Sequence, residues 1–302
     1  MKNAIKVLCF VVAVILIGTA GTYFYFTWDK GEFEYIDGID KGTVSVTGYI
    51  GKETEITIPK KLRGKKVTSI AENAFGESKL VSVEIGGNVN TIGKDAFSKC
   101  ESLKSVTIKE GVKSIGETAF YQCTSLESLK IPSSVEKLGD AVFYNSAVKD
   151  IEFASDEHFK FEDGVIYNSD KTVIYQALST ADISEFICPD TVTAIYPYAF
   201  AGHKELKSFK LNEGIKKLDT GVFIDCQSLK ELRLPSTLVS VGSLPISGSG
   251  VKKIYIPKTT ETFDKMAFYK MEEQLVIVTT RNSAAAKFAE KNGFKTEIAD
   301  KI

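Results

Sequence analysis

At 302 residues the chain has length for about two domains of ~150 residues, and 43% hydrophobic with 25% charged residues is ordinary globular composition, which excludes a disordered segment. Thirty-eight Lys and Arg against 39 Asp and Glu leave a net charge of −1, so there is no bulk electrostatic case for a nucleic-acid partner. Five cysteines are too few and too odd in number for a small disulfide framework, and two histidines leave little room for imidazole chemistry.

The first element is an address. Lys2 and Lys6 precede a charge-free run from Val7 to Trp28. Its 22 residues would reach about 33 Å as a helix at ~1.5 Å per residue, enough to cross a bilayer core. The two lysines orient the N-terminus to the cytoplasm, and Tyr23 to Phe26 with Trp28 form an aromatic belt at the outer interface. A cleaved signal peptide competes with this anchor, since Val7 to Ile17 is an h-region of suitable length followed by the small residues Gly18-Thr19-Ala20. Both readings export the rest of the chain, either held at the cell membrane by one pass or secreted.

Everything after this segment repeats. LVSVEIGGNVNTIGKDAFSKCES (from Leu80), LKSVTIKEGVKSIGETAFYQCTS (from Leu103) and LESLKIPSSVEKLGDAVFYNSA (from Leu126) set a period of 23, 23 and 22 residues. The period returns from Ile183, Leu206, Leu229 and Val251, with weaker copies near Glu53 to Lys79 and at Val148. L-x-x-V-x-I at the head of a unit in the low twenties is the leucine-rich-repeat signature, a short strand followed by a turn or short helical return. Val83, Val106, Leu129, Ile151, Phe186, Phe209, Leu232 and Ile254 form one inward column. Ile85, Ile108, Ile131, Phe153, Cys188, Leu211, Leu234 and Ile256 form the next, two residues on, as a strand with one buried face requires. Pro59, Pro132, Pro189, Pro235 and Pro257 end the strands, and recurring Ala-Phe pairs such as Ala96-Phe97 and Ala119-Phe120 fill the core on the return. The fold class is therefore a β-rich repeat solenoid in which each unit needs its neighbour to complete a core, so one elongated domain with a continuous core is expected in place of two.

The segment Val-x-x-Ile-Gly-x-x-Ala-Phe-x-x-Cys and the strand ending in Ile-Pro resemble the BspA-type leucine-rich repeat family of surface proteins. The resemblance implies opening cap strands at residues 29–52 and a solenoid at 53–282. It also implies a hairpin inserted near 154–182, around Asp163-Gly164-Val165-Ile166-Tyr167-Asn168, and a closing helix with a tail at 283–302. SAAAKFAEKNG supplies that helix, with Asn282 or Ser283 as N-cap and Gly293 as stop. Residues 1–28 are the anchor. The chain departs from the pattern where Tyr196, Asp219 and Asp264 replace the Ile-Gly glycine, so a positive φ is not obligatory there.

Candidate chemistry is thin. Cys100, Cys123 and Cys226 share a column with Ser78, Ser146, His203 and Met271, which reads as packing and predicts buried free thiols. His203 beside Cys226 has no third group to make a metal or nucleophile site, and no phosphate loop, dinucleotide fingerprint, catalytic serine elbow or zinc motif occurs. No enzyme activity, cofactor or metal is expected. Function then falls on the exposed strand face, where Lys130, Glu152, Ile187, Lys210, Arg233, Lys253 and Tyr255 are the candidate partner-binding residues. Acidic side chains lie toward the middle and basic ones toward the C-terminus. The expected partner is an extracellular or envelope protein, with membrane contact through residues 7–28. The resemblance implies adhesion, with a structural role in the cell envelope as the alternative.

Overall fold

A computed structural model describes residues 31–300 and 302. The anchor segment Val7 to Trp28 lies outside the described residues. Among the described residues no helix is long and apolar enough to cross a membrane.

The chain opens with an antiparallel hairpin of β1 (Phe33–Asp37) and β2 (Thr43–Tyr49). Next come β3 (Glu55–Thr57) and a second hairpin of β4 (Lys61–Leu62) and β5 (Lys65–Ile70). Regular coils follow, each with a long and a short strand: β6 (Ser82–Ile85) and β7 (Thr91–Ile92), β8 (Ser105–Ile108) and β9 (Ser114–Ile115), β10 (Ser128–Ile131) and β11 (Lys137–Leu138), then β12 (Asp150–Phe153). The insertion holds β13 (Phe159–Glu162), β14 (Val165–Asn168) and β15 (Val173–Ala177). The coils resume with β16 (Glu185–Ile187) and β17 (Ala194–Ile195), β18 (Ser208–Lys210) and β19 (Lys217–Leu218), β20 (Glu231–Arg233) and β21 (Ser240–Val241), β22 (Lys253–Tyr255) and β23 (Thr262–Phe263). The end is β24 (Val276–Thr279), α1 (Ala284–Asn292) and β25 (Lys295–Ile298).

Long strands pair parallel with long strands and short with short, residue for residue across one repeat. Val83 lies opposite Val106, and Ile92 opposite Ile115. The core between the two stacks is therefore built from the sequence columns, and Val83, Ile85, Val106 and Ile108 are all buried. Phe75, Phe97, Phe120 and Phe143 stack in a file with centroids 5.1, 5.5 and 5.9 Å apart and planes within 9° of parallel.

The return limb is not the short helix that the repeat pattern allows. Asn73, Asp95, Thr118 and Ala141 precede the core aromatic by two residues, and each has a φ between 52° and 55°. Glu77, Lys99, Gln122 and Asn145, two residues after it, repeat the left-handed geometry. This alternation turns every second amide toward the next coil. Asn73, Phe75 and Glu77 donate to the carbonyls of Lys94, Ala96 and Ser98 at 2.8–2.9 Å. The amides that a helix would spend within itself thus bind one coil to the next. Gly93 owes its place to close approach, because a Cβ there would sit 2.7 Å from the Ala71 carbonyl carbon.

The insertion is more than a hairpin. β13 and β14 join through Asp163 (φ 49°) and Gly164 (φ 78°), the two-residue turn that suits strand twist, and β14 then pairs antiparallel with β15. β15 runs parallel to β17 and so takes a short-strand place in the solenoid. The strand β14 divides the core. Ile166 packs with the N-terminal cluster, whereas Val165 and Tyr167 pack with the C-terminal one. The continuous core expected from register is therefore two clusters that meet at β14 and β15, since Tyr175 packs with the first cluster and Ile174 and Ala177 with the second.

At the C-terminal end, the Ser283 hydroxyl accepts the Ala286 amide at 3.0 Å and Gly293 (φ 77°) stops the helix. Ser283, not Asn282, is the N-cap. Phe288 of α1 stacks on Phe263 at 4.5 Å, closing the core, and beyond it β25 adds a strand to the sheet where the sequence reading had only a tail.

Candidate functional site

Strand alternation places every second residue of the long strands in solvent, and parallel register lines these residues up in rows. Ile187 lies opposite Lys210, Lys210 opposite Arg233, and Arg233 opposite Tyr255. Ile187 is 73% exposed, an apolar side chain that folding leaves in water. The Arg233 guanidinium lies 3.5 Å from the Tyr255 ring centroid and 2.8 Å from the Glu231 carboxylate, so its planar group is held before any partner arrives. Lys253, in the adjoining row opposite Glu231, reaches Glu297 at 2.9 Å, and that bond holds its ammonium pKa above the ordinary lysine value.

Four of the seven sequence candidates thus form one continuous row, with Lys253 beside it. Lys130 and Glu152 do not join them. They face each other across β10 and β12, form an ion pair, and are separated from the row by the inserted strands. The polarised stripe is therefore largely neutralised by Glu152, Glu231 and Glu297, and Lys210 has no ion pair among the described residues. None of the seven candidates lies in the insertion, which nevertheless contributes to this surface. Glu162, Asp163 and Tyr167 line a cleft of about 440 Å³ together with Glu185 and Ile187. The inserted hairpin was legible, but the cleft it shares with β16 was not. A second cleft of about 490 Å³ lies over Phe209, Lys210, Arg233 and Pro235.

Among the described residues, Cys100, Cys123, Cys188 and Cys226 are free and buried. The thiols of Cys100, Cys123 and Cys226 donate to the carbonyls of Phe75, Phe97 and Phe200 at 3.0–3.2 Å, one coil back in each case. Burial pushes Cys123 and Cys226 up to about 12 and Cys188 to about 11, and raises Cys100. Burial lowers the His203 imidazole pKa, a hydrogen bond with the Ala177 backbone opposes this, and Nε2 has no partner among the described residues. No cluster of three His, Cys, Asp or Glu suited to a metal occurs among the described residues.

Two outcomes follow for the thiols. With Cys9→Ser, native protein at neutral pH should react with a maleimide at its four buried thiols only at the rate of unfolding, because the thiolate is the reactive form and burial suppresses it. A folded pKa above the unfolded value also means that the folded state holds its proton more tightly. The stabilisation is complete below about 9 and is lost as pH rises toward 12, so the denaturation midpoint should fall over that window. Stoichiometric labelling of folded protein within seconds would contradict both statements.

Against known proteins, the BspA type leucine rich repeat region matches in six copies over residues 50–173 and 158–275. The chain belongs to that family. The solenoid is similar to the crystal structure of the pneumococcal vaccine antigen PcpA, with a TM-score of 0.64 and 16% identity over 90% of this chain and 98% of that one. A leucine-rich repeat protein from Eubacterium ventriosum gives a TM-score of 0.65 and 21% identity over 89% and 83%. A leucine rich cell surface protein from Faecalibacterium prausnitzii gives 0.50 and 20% over 90% and 98%. At these identities the likeness establishes the fold. No curated protein matches the chain.

Proposed function

We propose that this BspA-type repeat protein is a cell-surface binding module, held at the membrane by its N-terminal segment with the repeats outside. It takes an extracellular protein on the row Ile187, Lys210, Arg233 and Tyr255. The observation that carries the reading is the row itself, where an exposed isoleucine adjoins a cation and an arginine prestacked on tyrosine. Arg and Tyr are enriched among the residues that dominate interface energies; Tyr offers a large, rigid contact at small entropic cost, and the Arg233 guanidinium is already held by its stack and ion pair. The family match and the surface and antigen descriptions of its structural neighbours support export. Adhesion is the role this surface would serve.

Affinity capture with the full chain as bait, against extracellular proteins and against the producing cell's own envelope, identifies the partner and separates adhesion from an envelope role. Truncating Arg233 or Tyr255 to Ala is expected to cost about 2 kcal/mol or more of binding. Lys130→Ala, across the insertion, should change it by less than about 0.5 kcal/mol. Because Arg233 and Lys253 are already ion-paired, the salt dependence should be shallow. A partner indifferent to Arg233 and Tyr255 but lost with Lys130→Ala would place the surface elsewhere.

A further inference from the structure

The N-terminal cap carries a second surface of different chemistry. The turn joining β1 to β2 and the turn joining β4 to β5 lie at the same end of the sheet, since β2 and β5 are parallel, Thr43 is opposite Lys66, and the Lys66 amide donates to the Gly42 carbonyl at 2.9 Å. Between them the two turns hold Lys41, Lys60, Lys61, Arg63, Lys65 and Lys66 against Asp37 and Asp40. Only Lys65 has an ion pair among the described residues, with Asp37, and the other five cations are exposed. Lys61 and Lys66 stand directly opposite each other on β4 and β5, a like-charge pair that works against the hairpin. The tip is Arg63 (φ 47°) and Gly64 (φ 81°), a tight two-residue turn that projects its flanking side chains from a fixed backbone.

Exposed isoleucines run along the same cap. Ile50 is exposed at the end where the chain enters, its amide bonded to the Glu32 carbonyl at 2.8 Å. Ile36, 58% exposed, lies near the turn end of β1, and Ile39 is fully exposed in the turn beside the cationic tip. The charge-free run ends at Trp28, and only residues 29–32 separate it from β1, a reach of roughly 15 Å when extended. Apolar side chains with a basic cluster, so close to a segment able to enter a bilayer, match the chemistry of an anionic lipid surface. Isoleucines enter the interface and lysines meet phosphates there.

We propose that the cap hairpin lies along an anionic bilayer surface through Ile36, Ile39, Lys61, Arg63 and Lys66, and so fixes the tilt of the solenoid on its anchor. This rests on the anchored reading given above. The juxtaposed like charges on Lys61 and Lys66 are then relieved by lipid phosphate.

The test uses the full chain with Cys9→Ser and a dye on Asp40→Cys, or on Lys258→Cys at the far end as control. The chain is reconstituted in vesicles of phosphatidylcholine alone or mixed with phosphatidylglycerol, with nitroxide-bearing headgroups as quencher. Quenching is expected at Asp40→Cys in the anionic vesicles and not at Lys258→Cys. Lys61→Glu, Arg63→Glu and Lys66→Glu together should lower the docked-to-undocked ratio roughly 10- to 100-fold. High salt should do the same to the unsubstituted cap, so the result does not depend on how the triple variant folds. Equal quenching in neutral vesicles, or no response to charge reversal and salt, would overturn the proposal. So would protection of the cap by soluble polyphosphate but not by phosphatidylglycerol. Alkaline washing separates the two readings. Release of the whole chain fails the anchor alone, whereas a retained chain with an unquenched cap fails this inference alone.

Discussion

Replacing Phe120 by Ala is expected to lower the unfolding free energy by about 3–5 kcal/mol, measured as a shift in the urea midpoint. The ring is fully buried between Phe97 at 5.5 Å and Phe143 at 5.9 Å, with interplanar angles of 4° and 5°. Its removal empties a site whose walls are the neighbouring rings and the backbone ladders on either side. The Phe120 amide donates to the Val142 carbonyl at 2.9 Å, and its carbonyl accepts the Cys123 amide at 3.4 Å, so the backbone is held at both polar groups and cannot easily close the space. A solenoid interior adds a second reason. Each coil is stabilised by two neighbours, and a hole at their shared ring weakens both interfaces at once. Phe120→Leu, which keeps most of the apolar volume, should cost well under half as much. A loss below about 1 kcal/mol for Phe120→Ala would show that the aromatic file is not the core of the repeat.

The columns that place Phe120 in the core were legible because one physical constraint, burial of alternate residues, repeats at a fixed interval. Ile85, Ile108 and Ile131 carry the same message in successive coils. The return limb was less legible. Thr118 and Ala141 are ordinary residues, and nothing in their identity announces a φ above 50°. That geometry comes from the amide ladder to the next coil, which is a property of the stack. The insertion was visible as a break in period, yet the parallel pairing of β15 with β17 depends on a contact that no local pattern encodes. The candidate surface divides the same way. Outward positions such as Ile187 and Tyr255 follow from alternation. The ion pairs of Lys130 with Glu152 and Lys253 with Glu297 depend on how the strands are ordered in space, and the partner of Lys253 lies 44 residues away and two strands over in the sheet. The charge stripe read along the sequence was therefore real in position and largely neutralised in space.

Gln176→Leu should destabilise the chain by about 1–3 kcal/mol although the two side chains are close in size. In the regular coils the core-aromatic amide is bonded by a carbonyl of the next coil, as Phe97 is by Ala119 at 2.9 Å. At the insertion the partner of Phe143 is instead the Gln176 side chain, whose Oε1 accepts that amide at 3.1 Å. The backbone ladder restarts one residue later, where the Ala177 amide donates to Ala199 at 2.7 Å. Gln176 is buried, so leucine would leave the Phe143 N–H without its acceptor in a place water does not readily reach. This bond also joins a coil of the N-terminal core cluster to a strand that contributes Ile174 and Ala177 to the C-terminal one. Wild-type unfolding should be a single urea transition because β14 belongs to both clusters. In Gln176→Leu the transition should move to lower urea and broaden as the two halves lose coupling. A midpoint unchanged within the equivalent of about 0.5 kcal/mol would mean that Phe143 finds another acceptor and that the packing of β14 and β15 carries the junction.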